Sequence, residues 1–168
     1  MTRRGLLSLG CVASLMAVMG GSAHAEELSS LEGLWIMDSA YEIHADGTRT
    51  TNYGEHPRGL FFVDHAGRYS MQVYKVGGRA PFASGDRARG TPEEYRAAFV
   101  SISTHIGQVT IDQARRQLIF NIEAASFPNW EGQRQVRDFT YEHGLLSYSV
   151  PAYGGSTTAY STWRRAAN

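Results

Sequence analysis

GLFFVDHAGRYSMQVYKV, residues 59–76, sets the pattern for the rest of the chain. Two runs rich in β-branched and aromatic residues, 59–64 and 68–76, stand on either side of His65-Ala66-Gly67. Such runs joined by a short link containing Gly read as an antiparallel hairpin.

Outward from this hairpin the same grammar repeats. Upstream, Gly33-Leu34-Trp35-Ile36-Met37 opens a strand that runs to His44 and meets the turn signal Asp46-Gly47, and 48–53 is a weaker, Thr-rich strand. Downstream, strands are expected at 107–112, 117–125, the second half of 126–142, 145–150 and 157–164, with turns at His143-Gly144 and Tyr153-Gly154-Gly155. Residues 77–90 (GGRAPFASGDRARG) have loop composition. One helix interrupts the strands, at about 91–104. Thr91 caps it, Pro92 suits its first position and Glu94 completes a capping box. Tyr95, Ala98, Phe99 and Ile102 then form an apolar stripe, so this helix should cover another surface.

The expected fold is all-β: one antiparallel sheet of about eight to nine strands, closed as a barrel or folded as a sandwich, with one inserted helix. About eight strands enclose a space that side chains fill or one small ligand occupies. A filled interior would be packed by Phe62, Met71, Ile122 and Phe139.

The first residues read as a leader. A basic start at Arg3 and Arg4, an apolar run over 6–18 and the A-x-A site Ala23-His24-Ala25 predict a signal peptide over 1–25, with one domain over 26–168. Thr2-Arg3-Arg4-Gly5-Leu6-Leu7 has the form of a twin-arginine signal, and an ordinary secretory signal accounts for the same residues. The expected location is periplasmic or secreted. The apolar run is too short for a good membrane span, so no integral membrane segment is expected after cleavage. Cys11 is the only cysteine, which leaves the expected mature chain without disulfides, thiolate chemistry or Cys-based metal sites.

With 16 basic and 16 acidic residues in the whole chain, nothing suggests a phosphate-tracking surface, and no nucleic-acid partner is expected. P-loop, dinucleotide and Gly-x-Ser-x-Gly patterns are absent, as are His-x-His and His-x-x-x-His pairs, so neither cofactor nor metal is expected. The anticipated partner is a small molecule; monomer and homodimer both stay open.

The ends and middle of the chain then carry a resemblance. Gly33-x-Trp35 together with Trp163-Arg164 on the last strand resembles the lipocalin arrangement. Tyr53-Gly54-Glu55-x-Pro57-x-Gly59, Asp64-x-x-Gly67-Arg68-Tyr69-Ser70, Gly107-x-x-Thr110-x-Asp112 and Pro128-x-Trp130-x-Gly132-x-x-x-x-Arg137 are similar to the bacterial and fungal lipocalin-like domain family. The resemblance implies a calycin-type β-barrel with a pocket open at one end. It implies a small-molecule binder, with isomerases and cyclases of natural-product pathways among lipocalin-like relatives. It also implies that Trp35 packs at the closed end beneath Arg164; Arg165 is the alternative, because one step along a strand reverses the face. A histidine often found in the family at about Phe120 or Asn121 is missing here.

Arg137 alternates with Phe139 and Tyr141 and so faces inward if they do. A buried guanidinium needs a partner, and two are open: Glu123 on the preceding strand, or an anionic group of a ligand. Trp130 is expected as a rim or lid aromatic that stacks on a ligand, or as a plug over the core edge. Tyr69, Tyr74, Tyr148 and Tyr160 lie on strands, and some must face inward. The ligand-binding candidates are therefore Arg137, Trp130, Tyr69, Glu123 and Tyr148. If the protein is an enzyme, Arg137, His105 and Glu123 are its catalytic candidates, with His105 placed at the helix exit as a general base. His44, His65 and His143 lie in or beside turns and are expected at the surface.

Overall fold

The computed structural model describes residues 27–151 and 156–167; the expected leader, its Ala25 cleavage point, Cys11 and the turn at residues 153–155 lie outside them. The described chain forms nine strands, β1 (Gly33–His44), β2 (Arg49–Thr50), β3 (Arg58–Val63), β4 (Arg68–Tyr74), β5 (Ile102–Asp112), β6 (Gln117–Ala125), β7 (Arg134–Glu142), β8 (Leu145–Pro151) and β9 (Thr157–Arg165), and one helix, α1 (Pro92–Val100). Each strand pairs antiparallel with the next in the order β2-β1-β3-β4-β5-β6-β7-β8-β9, and β9 returns to β1. Eight strands thus close a barrel, and β2 is an extra strand on the far half of β1.

Alternation sets which residues fill it. On β3 the pattern is strict: Gly59, Phe61 and Val63 are buried while Arg58, Leu60 and Phe62 are exposed. The interior aromatic is therefore Phe61, and Phe62, expected inside, stands 50% exposed on the outer wall. Trp35, Phe61, Phe120 and Trp163 are fully buried, with Phe61 touching both Phe120 (6.0 Å) and Trp163 (5.8 Å). Each such ring contributes roughly 1.5–3 kcal/mol by leaving water. Leu28 and Leu31, ahead of β1, seal the Trp35 end, where the Trp35 indole donates to the Leu31 carbonyl at 2.8 Å.

Two bulges adjust the alternation. Asp38 is the extra residue of β1 against β9, and Glu123 that of β6 against β5. The second depends on Gly107: a Cβ there would lie 2.0 Å from the Asn121 carbonyl oxygen. Only a residue without a side chain lets β5 and β6 approach this closely.

The helix departs from expectation at its end and in its packing. Its capping box forms as read, but it stops at Val100 rather than near residue 104. Ser101 ends it, the hydroxyl donating to the Ala98 carbonyl at 2.7 Å, and β5 pairs with β4 from Ile102 onward. None of its residues is buried, and Phe99 is 46% exposed. Rather than covering the barrel, Tyr95 folds back on its own approach loop, against Phe82 (5.3 Å) and the Arg87 carbonyl.

Candidate functional site

The second half of the stretch 126–142 makes β7, and its alternation delivers Arg137, Phe139 and half-buried Tyr141 to one side. Arg137 is consequently inside the barrel and only 4% exposed. Its guanidinium lies over the ring faces of Phe120 (4.1 Å) and Tyr148 (5.1 Å), donates to Gln135 Oε1 at 2.9 Å and approaches His105 Nε2 at 3.4 Å. Among the described residues no carboxylate forms an ion pair with it. Among the described residues its Nε–H has no hydrogen-bond partner, and the indole N–H of Trp163 has only a loose approach to the Tyr148 hydroxyl.

The expected pairing with Glu123 is corrected. Phe120 and Ile122 take the inward positions of β6, which turns Glu123 outward into solvent at the bulge. It is neither a partner of Arg137 nor a lining residue, and its charge is the smallest of the influences on Tyr69.

His105 is corrected in the opposite direction. It lies not at a helix exit but within β5, buried in the barrel, because β5 begins directly after the Ser101 cap. Its Nδ1 is 2.7 Å from the Tyr69 hydroxyl. Arg137 can only donate, so Nε2 must accept, and Nδ1–H then donates to the Tyr69 oxygen. The Tyr69 O–H remains free to donate inward. Burial first, and the Arg137 charge second, push the His105 imidazole down to about 3. Burial likewise pushes the Tyr69 phenol well above its ordinary value, against the lowering pull of Arg137. His105 is therefore neutral near pH 7 and a poor base there, while Tyr69 and Arg137 are hydrogen-bond donors.

Tyr148 is buried too; its hydroxyl donates to the weakly accepting Met71 sulfur at 3.3 Å and lies beside Trp163, Ser161 and Arg137. Tyr74 and Tyr160 face outward, Tyr160 stacking on Tyr41 at 5.0 Å. Trp130 belongs to a 3-10 turn, Pro128–Trp130, and is half-buried with its ring edge-on to His105 (6.0 Å) and to Phe127 (5.6 Å). The structure thus brings Arg137, Tyr69, Tyr148 and Trp130 around His105, and leaves Glu123 outside.

At the other end the arginine over Trp35 is Arg165, not Arg164. Its guanidinium lies 4.3 Å from the Trp35 ring and bonds the carbonyls of Glu32 and Ser30. Trp163 faces inward, and the period of two carries that face to Arg165; Arg164 points to solvent. His65 and His143 are exposed, whereas His44 is half-buried between Thr50 (3.0 Å) and Thr157 (3.2 Å). Among the described residues no cluster of His, Cys, Asp or Glu has the makings of a metal centre, and no helix is long and apolar enough to cross a membrane. Two clefts, of about 190 and 360 Å³, lie on the outer wall rather than at Arg137.

A closed up-and-down barrel of eight antiparallel strands is the architecture of the lipocalins. The family model described as a lipocalin-like domain matches residues 32–166, and the chain belongs to that family. None of the curated proteins matches it by sequence. The fold supports a binding role in general terms.

Proposed function

We propose that the barrel binds one small amphipathic anion, its oxyanion facing Arg137 and its apolar body against Tyr69, Tyr148 and Trp130. The observation that carries this reading is a surplus of buried donors. Arg137 Nε–H and Trp163 Nε1–H lack a well-formed bond and share one interior with the Tyr69 hydroxyl, and the acceptors there are all neutral: an imidazole, an amide oxygen, the phenol oxygens of Tyr69 and Tyr148, and a thioether. Buried donors without acceptors are unusual in folded proteins, and a carboxylate, sulfonate or enolate would satisfy several at once. Trp130, the half-buried member of the cluster, is the side chain that would move to admit a ligand. The leader-like start of the chain supports export before binding.

An aromatic sulfonate, 8-anilinonaphthalene-1-sulfonate, tests the reading by fluorescence titration. Saturable one-to-one binding that weakens at least tenfold in Arg137→Met supports it; binding unchanged by that substitution rules it out.

A second reading, cofactor-independent isomerisation or cyclisation, draws on the same hydrogen-bond chain. Arg137 and Tyr69 would stabilise a developing enolate oxygen. His105 fits that scheme as the group that orients Tyr69 rather than as the base, since an imidazole titrating at about 3 takes a carbon-bound proton poorly.

A further inference from the structure

The outer wall carries a second charged feature that the barrel interior does not explain. Past the end of β4 the chain runs Lys75-Val76-Gly77-Gly78-Arg79. Hydrogen bonds from Lys75 N–H to the Ser101 carbonyl (2.9 Å) and from Val76 N–H to the Tyr53 carbonyl (3.0 Å) anchor its start. Gly77 and Gly78 both hold positive φ, 78° and 71°, which bends the chain back on itself. Arg79 consequently returns over the outward-facing Tyr74, its guanidinium 5.5 Å from the ring, while the Tyr74 hydroxyl is held by Gln72 at 3.1 Å.

This bend shapes the cleft of about 360 Å³, whose charged walls are Arg58, Lys75 and Arg79. Among the described residues no Asp or Glu lines it, and none of the three cations forms an ion pair. Arg79 also borders the second cleft, of about 190 Å³, whose floor is Phe82, Ala97 and Ala98. Ala97 and Ala98 of that floor come from α1, none of whose residues is buried.

We infer that these adjoining clefts are a phosphate-binding site, with Arg58, Lys75 and Arg79 holding the phosphate and the Phe82 side taking a small apolar substituent. Three unpaired cations around one opening match a dianion better than a monocarboxylate. Arginine forks and a lysine point charge are the groups that bind phosphate oxygens. The site is separate from Arg137, which faces the interior, so either can fail without the other. The phosphate belongs to a free phosphorylated molecule or to a lipid headgroup, and the test distinguishes the two.

Amide resonances of the full chain, labelled with nitrogen-15, are followed while inorganic pyrophosphate is added. In parallel, the protein is sedimented with vesicles of phosphatidylglycerol or of phosphatidylcholine. Saturating shifts confined to residues 74–79 and 58, weakened at least tenfold in Lys75→Gln/Arg79→Gln and less than twofold in the charge-matched Arg96→Gln/Arg134→Gln, are the expected result and point to a free phosphate. Selective sedimentation with phosphatidylglycerol, lost in the same variant, supports the site with a lipid headgroup as its source. The inference is overturned if neither probe engages these residues, or if both double variants lose binding equally.

Discussion

Consider Arg137→Met, which separates a ligand site from a structural brace by the sign of one free-energy change. Burying a guanidinium costs several kcal/mol even after the protein relaxes. Against that stand two ring faces, at 4.1 and 5.1 Å, each contributing up to about 2 kcal/mol when desolvated. The Gln135 bond adds about 1.5–3 kcal/mol, and the contact with His105 at 3.4 Å is too long to add much. These terms roughly cancel. Methionine fills a similar length without charge, so the substitution should leave stability unchanged or raise it by about 1–4 kcal/mol, at roughly 2–4 °C in Tm per kcal/mol for a chain of this size. A guanidinium that braced the fold through a carboxylate would instead lose about 3–5 kcal/mol on removal. Urea unfolding followed by tryptophan fluorescence measures the difference, with an unchanged m-value confirming a common transition. A loss of about 3 kcal/mol or more, with sulfonate binding intact, would mean that Arg137 braces the fold instead.

Four further substitutions test the core, the bulge and the cap. His105 is neutral in the fold, titrating at about 3, and near 6.5 when unfolded. Its contribution is thus complete above about pH 6.5 and is lost as pH falls toward 3, by at most about 1.4 kcal/mol per pH unit. His105→Gln should flatten that part of the stability–pH curve, and an identical slope in wild type and variant would count against a buried neutral imidazole. Gly107→Ala places a methyl 2.0 Å from the Asn121 oxygen, so a loss of about 3 kcal/mol or more is expected by urea unfolding; a loss under 1 kcal/mol would mean that the bulge yields. Arg165→Ala should lower stability by about 1–2 kcal/mol through the Trp35 face and two carbonyl bonds, whereas Arg164→Ala should stay within about 0.5 kcal/mol. Equal effects would undo the assignment of the cap.

The fold was readable because its signals are local. Period-two runs and Gly-containing turns place the strands, and the Thr91 capping box places the start of α1. The inward face of Arg137 was readable for the same reason, since Phe139 and Tyr141 share its side. What escaped depends on partners remote in sequence. Ile102 continues the helical stripe in the sequence, yet pairing with Tyr74 makes it the first residue of β5, and that exchange moves His105 from a helix end into the barrel. The face of Glu123 follows from Ile122 and the β5–β6 bulge, which is visible only once Gly107 is seen against Asn121. Trp163 held the signal for the cap: two residues beyond an inward tryptophan is Arg165. The composition of 77–90 announced a loop, but not that Gly77-Gly78 returns Arg79 to Tyr74.

Native mass spectrometry of the chain recovered from its producing cells, with wild type beside Arg137→Met, asks whether the barrel carries a ligand at Arg137. A small anionic molecule carried by the wild type and absent from the folded variant is the expected result. Two bare proteins, or the same adduct on both, would contradict a ligand at Arg137.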